Sequence, residues 1–147
     1  MSKYMQGLFK PNNPKKYKGD VKNIVYRSAW EMKYMIQLDS DPTVVEWASE
    51  EFCIPYTDKA TGKFHRYFPD FKVVKKMPDG KLQTFIIEIK PESQTIAPKK
   101  KTKPNRKFLK EVMTYGKNLG KWESAERYCK SNGFIFQILT EKQLRVF

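Results

Sequence analysis

The run TFIIEIKP, residues 84–91, reads as a buried β-strand that carries two charges. Side chains alternate between the faces of a strand, so Phe85, Ile87 and Ile89 share one face while Ile86, Glu88 and Lys90 share the other. The run is too apolar for an exposed edge, and a charge on its face is costly unless something pairs with it. Glu88 therefore needs a partner.

The segment before it supplies one. HRYFPDFKVV (65–74) and the turn MPDGK (77–81) lead into the strand as a β-hairpin. Pro78-Asp79-Gly80 suits a three-residue loop, a type I turn followed by glycine in the left-handed conformation. That loop pairs Met77 with Lys81, and the same register carried back sets Asp70 opposite Glu88 on one face. Directly opposed strand residues hold their Cβ atoms ~4.5–5.5 Å apart, where like charges repel. A divalent cation between the carboxylates would turn the repulsion into coordination, and Mg²⁺ suits because it takes hard oxygen ligands while keeping waters for substrate. A two-residue turn would shift the pairing by one and remove the opposition. The plainer alternative makes Asp70 a strand-edge residue and Glu88 with Lys90 a solvated face.

Glu31 is a third candidate with two readings. Ser28-Ala-Trp-Glu31 fits a capping box, in which the serine caps a helix and the glutamate bonds back. Glu31 also lies at i−4 from Met35 and i−7 from Leu38, on the face predicted to turn toward the sheet.

Around these residues the chain of 147 residues has the length of one domain with one core. Residues 1–27 read as an irregular basic arm broken by Pro11, Pro14 and Gly19, and 28–147 as the folded domain. SAWEMKYMIQLD is predicted as a helix ending before Asp41-Pro42. TVVEWASEEFCIPYTD holds one or two short strands or a turn of helix, and ESQTIAPKKKTKPNRK is a basic loop. FLKEVMTYGKNLGKWESAERYCKSNG is helical, either whole or in two pieces around Gly116 and Gly120, and FIFQILTE is an apolar strand. The order of elements gives an α/β or α+β sandwich around a central sheet. Trp30, Trp47 and Trp122 sit among apolar or helical-face residues and read as core.

Composition narrows the function. The formal net charge of +13 points to a polyanionic partner, with nucleic acid first and an ordinary basic surface as the alternative. Cys53 and Cys129 fit no metal-ligand spacing and read as two free thiols. With His65 as the single histidine, zinc sites and serine–histidine or cysteine–histidine catalysis find no support, and His65 is expected to be dispensable for cleavage. No segment approaches the ~20 apolar residues of a membrane span, and the first residues lack the apolar core of a secretory signal.

Glu31, then Phe-Pro-Asp70, then Glu88-Ile-Lys90 resembles the glutamate, PD and (D/E)xK signature of the restriction-endonuclease-like nucleases, over residues 27–91. SAWEMKYMIQLDSDPTVVEW, IPY, HRYFPDF and FIIEIKP together look like the TnsA-like branch of that superfamily. The basic arm, Val25-Tyr26-Arg27-Ser28-Ala29-Trp30-Glu31, and Lys90-Pro91 are similar to the head completion nucleases of T-even-type tailed phages, nearly end to end. The resemblance implies an α/β fold with a central mixed β-sheet flanked by helices. It implies Mg²⁺, with Mn²⁺ able to substitute, held by Asp70, Glu88 and the Ile89 carbonyl, with Glu31 completing the site or holding a second ion. Lys90 would position the attacking water or stabilise charge on the phosphate, leaving a 5′-phosphate and a 3′-hydroxyl. The implied partners are double-stranded DNA and other phage head or neck proteins, in the host cytoplasm during assembly or retained in the virion, with no membrane and no small-molecule cofactor. The implied activity is endonucleolytic, with exonuclease action as an open addition, in head completion and head–tail joining. A structural head-completion or DNA-binding protein with incidental cleavage, and a junction resolvase, are the alternatives.

The basic loop supplies DNA contacts in this reading: Lys99, Lys100, Lys101, Lys103, Arg106 and Lys107, close after Gln94 and Thr95. Such phosphate contacts give affinity without sequence preference, and no recognition helix or zinc module is present to read bases.

Overall fold

A computed structural model describes residues 6–58, 61–99, 103 and 105–144. Four strands form the main sheet: β3 (Val44–Ser49), β6 (Phe71–Lys76), β7 (Leu82–Ile89) and β8 (Ile135–Leu139), side by side in that order. β6 runs antiparallel to both its neighbours, β3 and β7, and β8 joins β7 in parallel. A parallel pair needs a crossover; here it is α2 (Arg106–Asn132). A second sheet pairs β4 (Ile54–Thr57) with β5 (Phe64–Tyr67), and a short ladder pairs β1 (Gly7–Leu8) with β2 (Val25–Tyr26). Two further helices, α1 (Ala29–Ser40) and α3 (Glu141–Leu144), complete the described fold.

Alternation along β7 divides the core in two. Phe85 and Ile87 pack with Tyr34, Met35 and Leu38 of α1 and with Trp47, Phe71 and Val73. Ile86 faces the other way, against Trp122, Ala125 and Cys129 of α2 and Ile54, Tyr56 and Tyr67 of the small sheet. The layers are helix, sheet, helix, the predicted α/β architecture. The hairpin register also holds. The Met77 N–H donates to the Lys81 carbonyl at 2.8 Å, Gly80 takes φ 84°, and the ladder runs from Lys76↔Leu82 to Phe71↔Ile87. The next pair in that register is Asp70 with Glu88.

Two features differ from the sequence reading, and one, the continuity of α2, decides between alternatives it left open. The segment 64–76 is not one strand: β5 leaves the main sheet, because Pro69 offers no N–H to a ladder and restrains Phe68 before it. α2 is one helix through Gly116 and Gly120, each costing ~1 kcal/mol relative to alanine, and it ends at Gly133 with φ 72°. The N-terminal segment is irregular but docked, with Tyr17 and Ile24 buried in the first core cluster. The buried carboxylate of Asp39 accepts the N–H groups of Asn12 and Asn13 at 2.8 and 3.0 Å. The Lys16 ammonium donates to the carbonyls of Asp39 and Asp41 at 3.0 and 2.7 Å, a cation at the negative end of α1. Trp47 and Trp122 are buried and Trp30 packs against the core, as expected of them.

Candidate active site

Asp70 and Glu88 meet where β6 begins and β7 ends. Pro69 breaks the chain out of β5, and Asp70 then enters the sheet with its carbonyl accepting the Glu50 N–H at 3.0 Å. The Asp70 Oδ2 accepts the Ile89 N–H at 2.7 Å, which bolts the carboxylate to the end of β7 beside Glu88. Burial and the negative charge of Glu88 push the Asp70 carboxyl well above its usual range, opposed by the Ile89 N–H. Burial likewise raises the Glu88 carboxyl. One buried and one half-buried carboxylate that resist ionising together are a natural seat for positive charge.

Glu88 is 7 % exposed and held by more groups than the sequence suggested. Tyr67, at the end of β5, is 4 % exposed and donates its hydroxyl to Glu88 Oε2 at 2.7 Å. Burial and the Glu88 charge hold that hydroxyl protonated far above the ordinary range, so it is a fixed donor. Lys90 Nζ stands 3.8 Å from Glu88 Oε1. Lys121 of α2 brings its ammonium 5.8 Å from the Tyr67 ring centre, and its charge acts on Glu88.

Glu31 approaches from elsewhere. α1 covers the Phe85/Ile87 side of the sheet, whereas Glu88 lies on the Ile86 side, beside Tyr67. Both predicted features of Glu31 occur: Met35 and Leu38 on its face are buried, and Ser28 caps the helix. The Glu31 N–H donates to Ser28 Oγ at 3.1 Å, and Ser28 Oγ lies 3.3 Å from Glu31 Oε2. Burial raises the Glu31 carboxyl, and its charge reaches Asp70. It does not join the pair directly, since no group of three histidine, cysteine or acidic side chains among the described residues is arranged to hold one ion. The structure thus brings together Asp70, Glu88, Ile89 and Lys90, with Glu31 near enough to feel Asp70's charge.

Sequence reasoning missed Tyr67, Lys121, Arg27 and Glu50. Glu50 takes φ 53°, a left-handed conformation uncommon for a non-glycine residue, and ion-pairs with Arg27. Arg27's guanidinium is also within electrostatic reach of Glu31 and Asp70. A tyrosine three residues before the PD aspartate was visible in HRYFPD, but its direction depends on β5 leaving the main sheet. His65 packs its ring 5.6 Å from Tyr56 and belongs to neither carboxylate.

Of the predicted DNA contacts, Lys99, Lys103, Arg106 and Lys107 are exposed, and Lys99 and Lys107 line one groove. Lys100 and Lys101 lie outside the described residues. No described helix is long and apolar enough to cross a membrane.

Residues 41–141 match the TnsA-like endonuclease N-terminal family. This chain belongs to that family. The match spans the whole PD to Glu-Ile-Lys unit, while Glu31 falls before it. The mixed sheet with helices on both faces is the restriction-endonuclease-like architecture expected of a TnsA-like endonuclease domain. The chain is also 41% identical over 143 residues to the head completion nuclease of Enterobacteria phage T4, covering 95% of this chain and 93% of that relative.

The carboxylate pair suits a divalent cation on its own chemistry. Mg²⁺ is typically bound by one or two carboxylates plus waters and substrate phosphate rather than by a closed protein cage. Asp70 and Glu88 give two such groups, and the Ile89 carbonyl stands in the peptide that joins Ile89 to Lys90.

Proposed function

We propose that this chain is a divalent-cation-dependent deoxyribonuclease of low sequence specificity that acts on packaged DNA during phage head completion and head–tail joining. The observation that carries the reading is the pairing of half-buried Asp70 with buried Glu88, set side by side at the strand ends with Lys90 3.8 Å from Glu88. Family membership and the T4 relative's name support the nuclease class and its setting.

In this reading Asp70, Glu88 and the Ile89 carbonyl hold Mg²⁺, with Mn²⁺ as a substitute. The bound ion supplies Lewis-acid polarisation of the phosphate and a more acidic water. The chain's own groups do the rest. Tyr67 fixes the Glu88 carboxylate in one orientation, and the Ile89 N–H fixes Asp70. Lys90, beside the Glu88 carboxylate, brings its ammonium to the site and stabilises the charge that builds on the non-bridging phosphate oxygens. Water oxygen bonds to phosphorus, releasing its proton to solvent, as the bond to the 3′-oxygen breaks. The products are a 5′-phosphate and a 3′-hydroxyl, the departing oxygen taking its proton from solvent. Glu31, whose charge acts on Asp70, is the candidate holder of a second ion.

Supercoiled plasmid incubated with the protein and Mg²⁺, beside EDTA and a Glu88→Ala variant, tests the reading. Nicking that needs both the cation and Glu88 is the expected result. Absence of nicking by the wild type would leave a DNA-binding head protein in place of an enzyme.

A further inference from the structure

Positions 107, 110, 114, 117 and 121 of α2 step by three and four residues, the spacing that stacks side chains along one helix face. They are Lys107, Lys110, Thr114, Lys117 and Lys121. At ~1.5 Å per residue the row extends ~21 Å along the helix. Lys107, Lys110 and Lys117 are exposed, and Lys121 is half-buried. None of the four lysines is in an ion pair among the described residues. Like charges at i+4 destabilise a helix by ~0.2–0.5 kcal/mol per pair, so the row has a cost that no ion pair among the described residues offsets.

The row has a direction. Its inner end is Lys121, whose ammonium is 5.8 Å from the ring of Tyr67, the residue that hydrogen-bonds Glu88. The charges of Lys117, Lys90 and Glu88 all act on Lys121, so the row runs into the carboxylate pair. Its outer part forms a crest between two grooves. One, of about 670 Å³, is lined by Lys107, Lys110 and Thr114 together with Ser93, Gln94 and Lys99, from the segment that follows Lys90. The other, of about 720 Å³, is lined by Lys110, Thr114 and Lys117 with Tyr56 and Thr57. Glu111 in the first groove stands four residues after Lys107 and three before Thr114, on the flank of the row's outer end, while Asp58 and Glu123 in the second groove fall off its stepping.

We propose that this row is the track for one phosphodiester backbone, which lies along α2 and reaches the carboxylate pair at Lys121. Lys107, Lys110 and Lys117 hold successive phosphates, and Lys121 positions the phosphate beside the one cleaved. The contacts are to backbone alone, so the track reads no sequence. It moves the main DNA contact from the loop before the helix onto the helix itself. The inference rests on the nuclease reading for what lies at the end of the track, but its test is a binding measurement.

The experiment titrates fluorescently labelled duplex and single-stranded oligonucleotides of equal length with protein in EDTA, across a series of KCl concentrations. It compares wild type, Lys110→Gln/Lys117→Gln, and the charge-matched control Lys76→Gln/Lys81→Gln at the other end of β7. Each lost phosphate contact makes the slope of log Kobs against log salt shallower by about 0.9 on duplex and about 0.7 on a single strand. The helix double variant is expected to lose close to two contacts on at least one form, while the control keeps the wild-type slope. The form with the larger loss is the one the track holds. Lys110→Arg/Lys117→Arg should restore the slope, which separates charge from folding. A wild-type slope in the helix variant on both forms, or an equal loss in the control, overturns the proposal. Failure of the nuclease reading would appear separately, as no cation-dependent nicking by the wild type.

Discussion

Replacing Tyr67 with phenylalanine removes one oxygen from the site and keeps the ring. That oxygen donates to Glu88 Oε2 at 2.7 Å, with both side chains under a tenth exposed. The other Glu88 oxygen has Lys90 only at 3.8 Å, so the tyrosine bond is the shorter contact. A hydrogen bond to a charged group contributes ~1.5–3 kcal/mol, and water does not readily replace it in a buried site. Tyr67→Phe should therefore destabilise the cation-free protein by about 2 kcal/mol at neutral pH, a fall in Tm of ~4–8 °C for a chain of this size. The sign with pH follows from Glu88. The hydroxyl favours the carboxylate form, so its loss raises the Glu88 carboxyl further above its unfolded value. The difference between variant and wild type is full at neutral pH and fades as acid protonates Glu88 in both. On function, removing a partner that orients a metal ligand typically costs 10–100-fold in metal affinity or activity. The Mg²⁺ concentration for half-maximal nicking should rise by about that factor, with a smaller change in the rate at saturating Mg²⁺. A variant with wild-type Tm and wild-type Mg²⁺ dependence would refute the claim that Glu88 is a ligand held in one orientation by Tyr67.

Asp70→Asn keeps an acceptor for the Ile89 N–H and removes a charge whose carboxyl is raised by burial and by Glu88. A carboxyl raised on folding contributes stability at low pH that is lost as pH rises through its folded value. In EDTA the variant should thus melt above wild type at neutral pH, the gain shrinking toward pH ~4, while nicking is abolished; melting below wild type at neutral pH contradicts this. His65→Ala, on β5 against Tyr56, should leave the nicking rate unchanged. A large loss with the fold intact would require a group outside the carboxylate–lysine set.

The part of the site legible in the sequence is the part set by local geometry. Pro78-Asp79-Gly80 fixes the turn, the turn fixes the register, and the register brings Asp70 beside Glu88 without any knowledge of the rest of the fold. The α1 cap at Ser28 was readable for the same reason. What was not readable depends on which layer covers which face. The period of α1 shows that Glu31 shares a face with Met35 and Leu38, but not that this face packs on Phe85 and Ile87 rather than on the Glu88 side. Tyr67 points at Glu88 because β5 departs from the main sheet at Pro69, a tertiary outcome. The lysine row of α2 was present as a spacing, yet it becomes a row only if the helix continues through Gly116 and Gly120. The docking of the N-terminal segment rests on Asp39 and Trp47, residues far along the chain.

The most direct test of the central claim is a crystal structure with Mn²⁺, read by anomalous scattering. The account predicts an ion at the β6 and β7 ends, ligated by Asp70, Glu88 and the Ile89 carbonyl at ~2.0–2.3 Å, and its disappearance in Asp70→Asn. An ion held by Glu31 and Glu50 without Asp70 and Glu88, or no ion at those strand ends in saturating Mn²⁺, would contradict it.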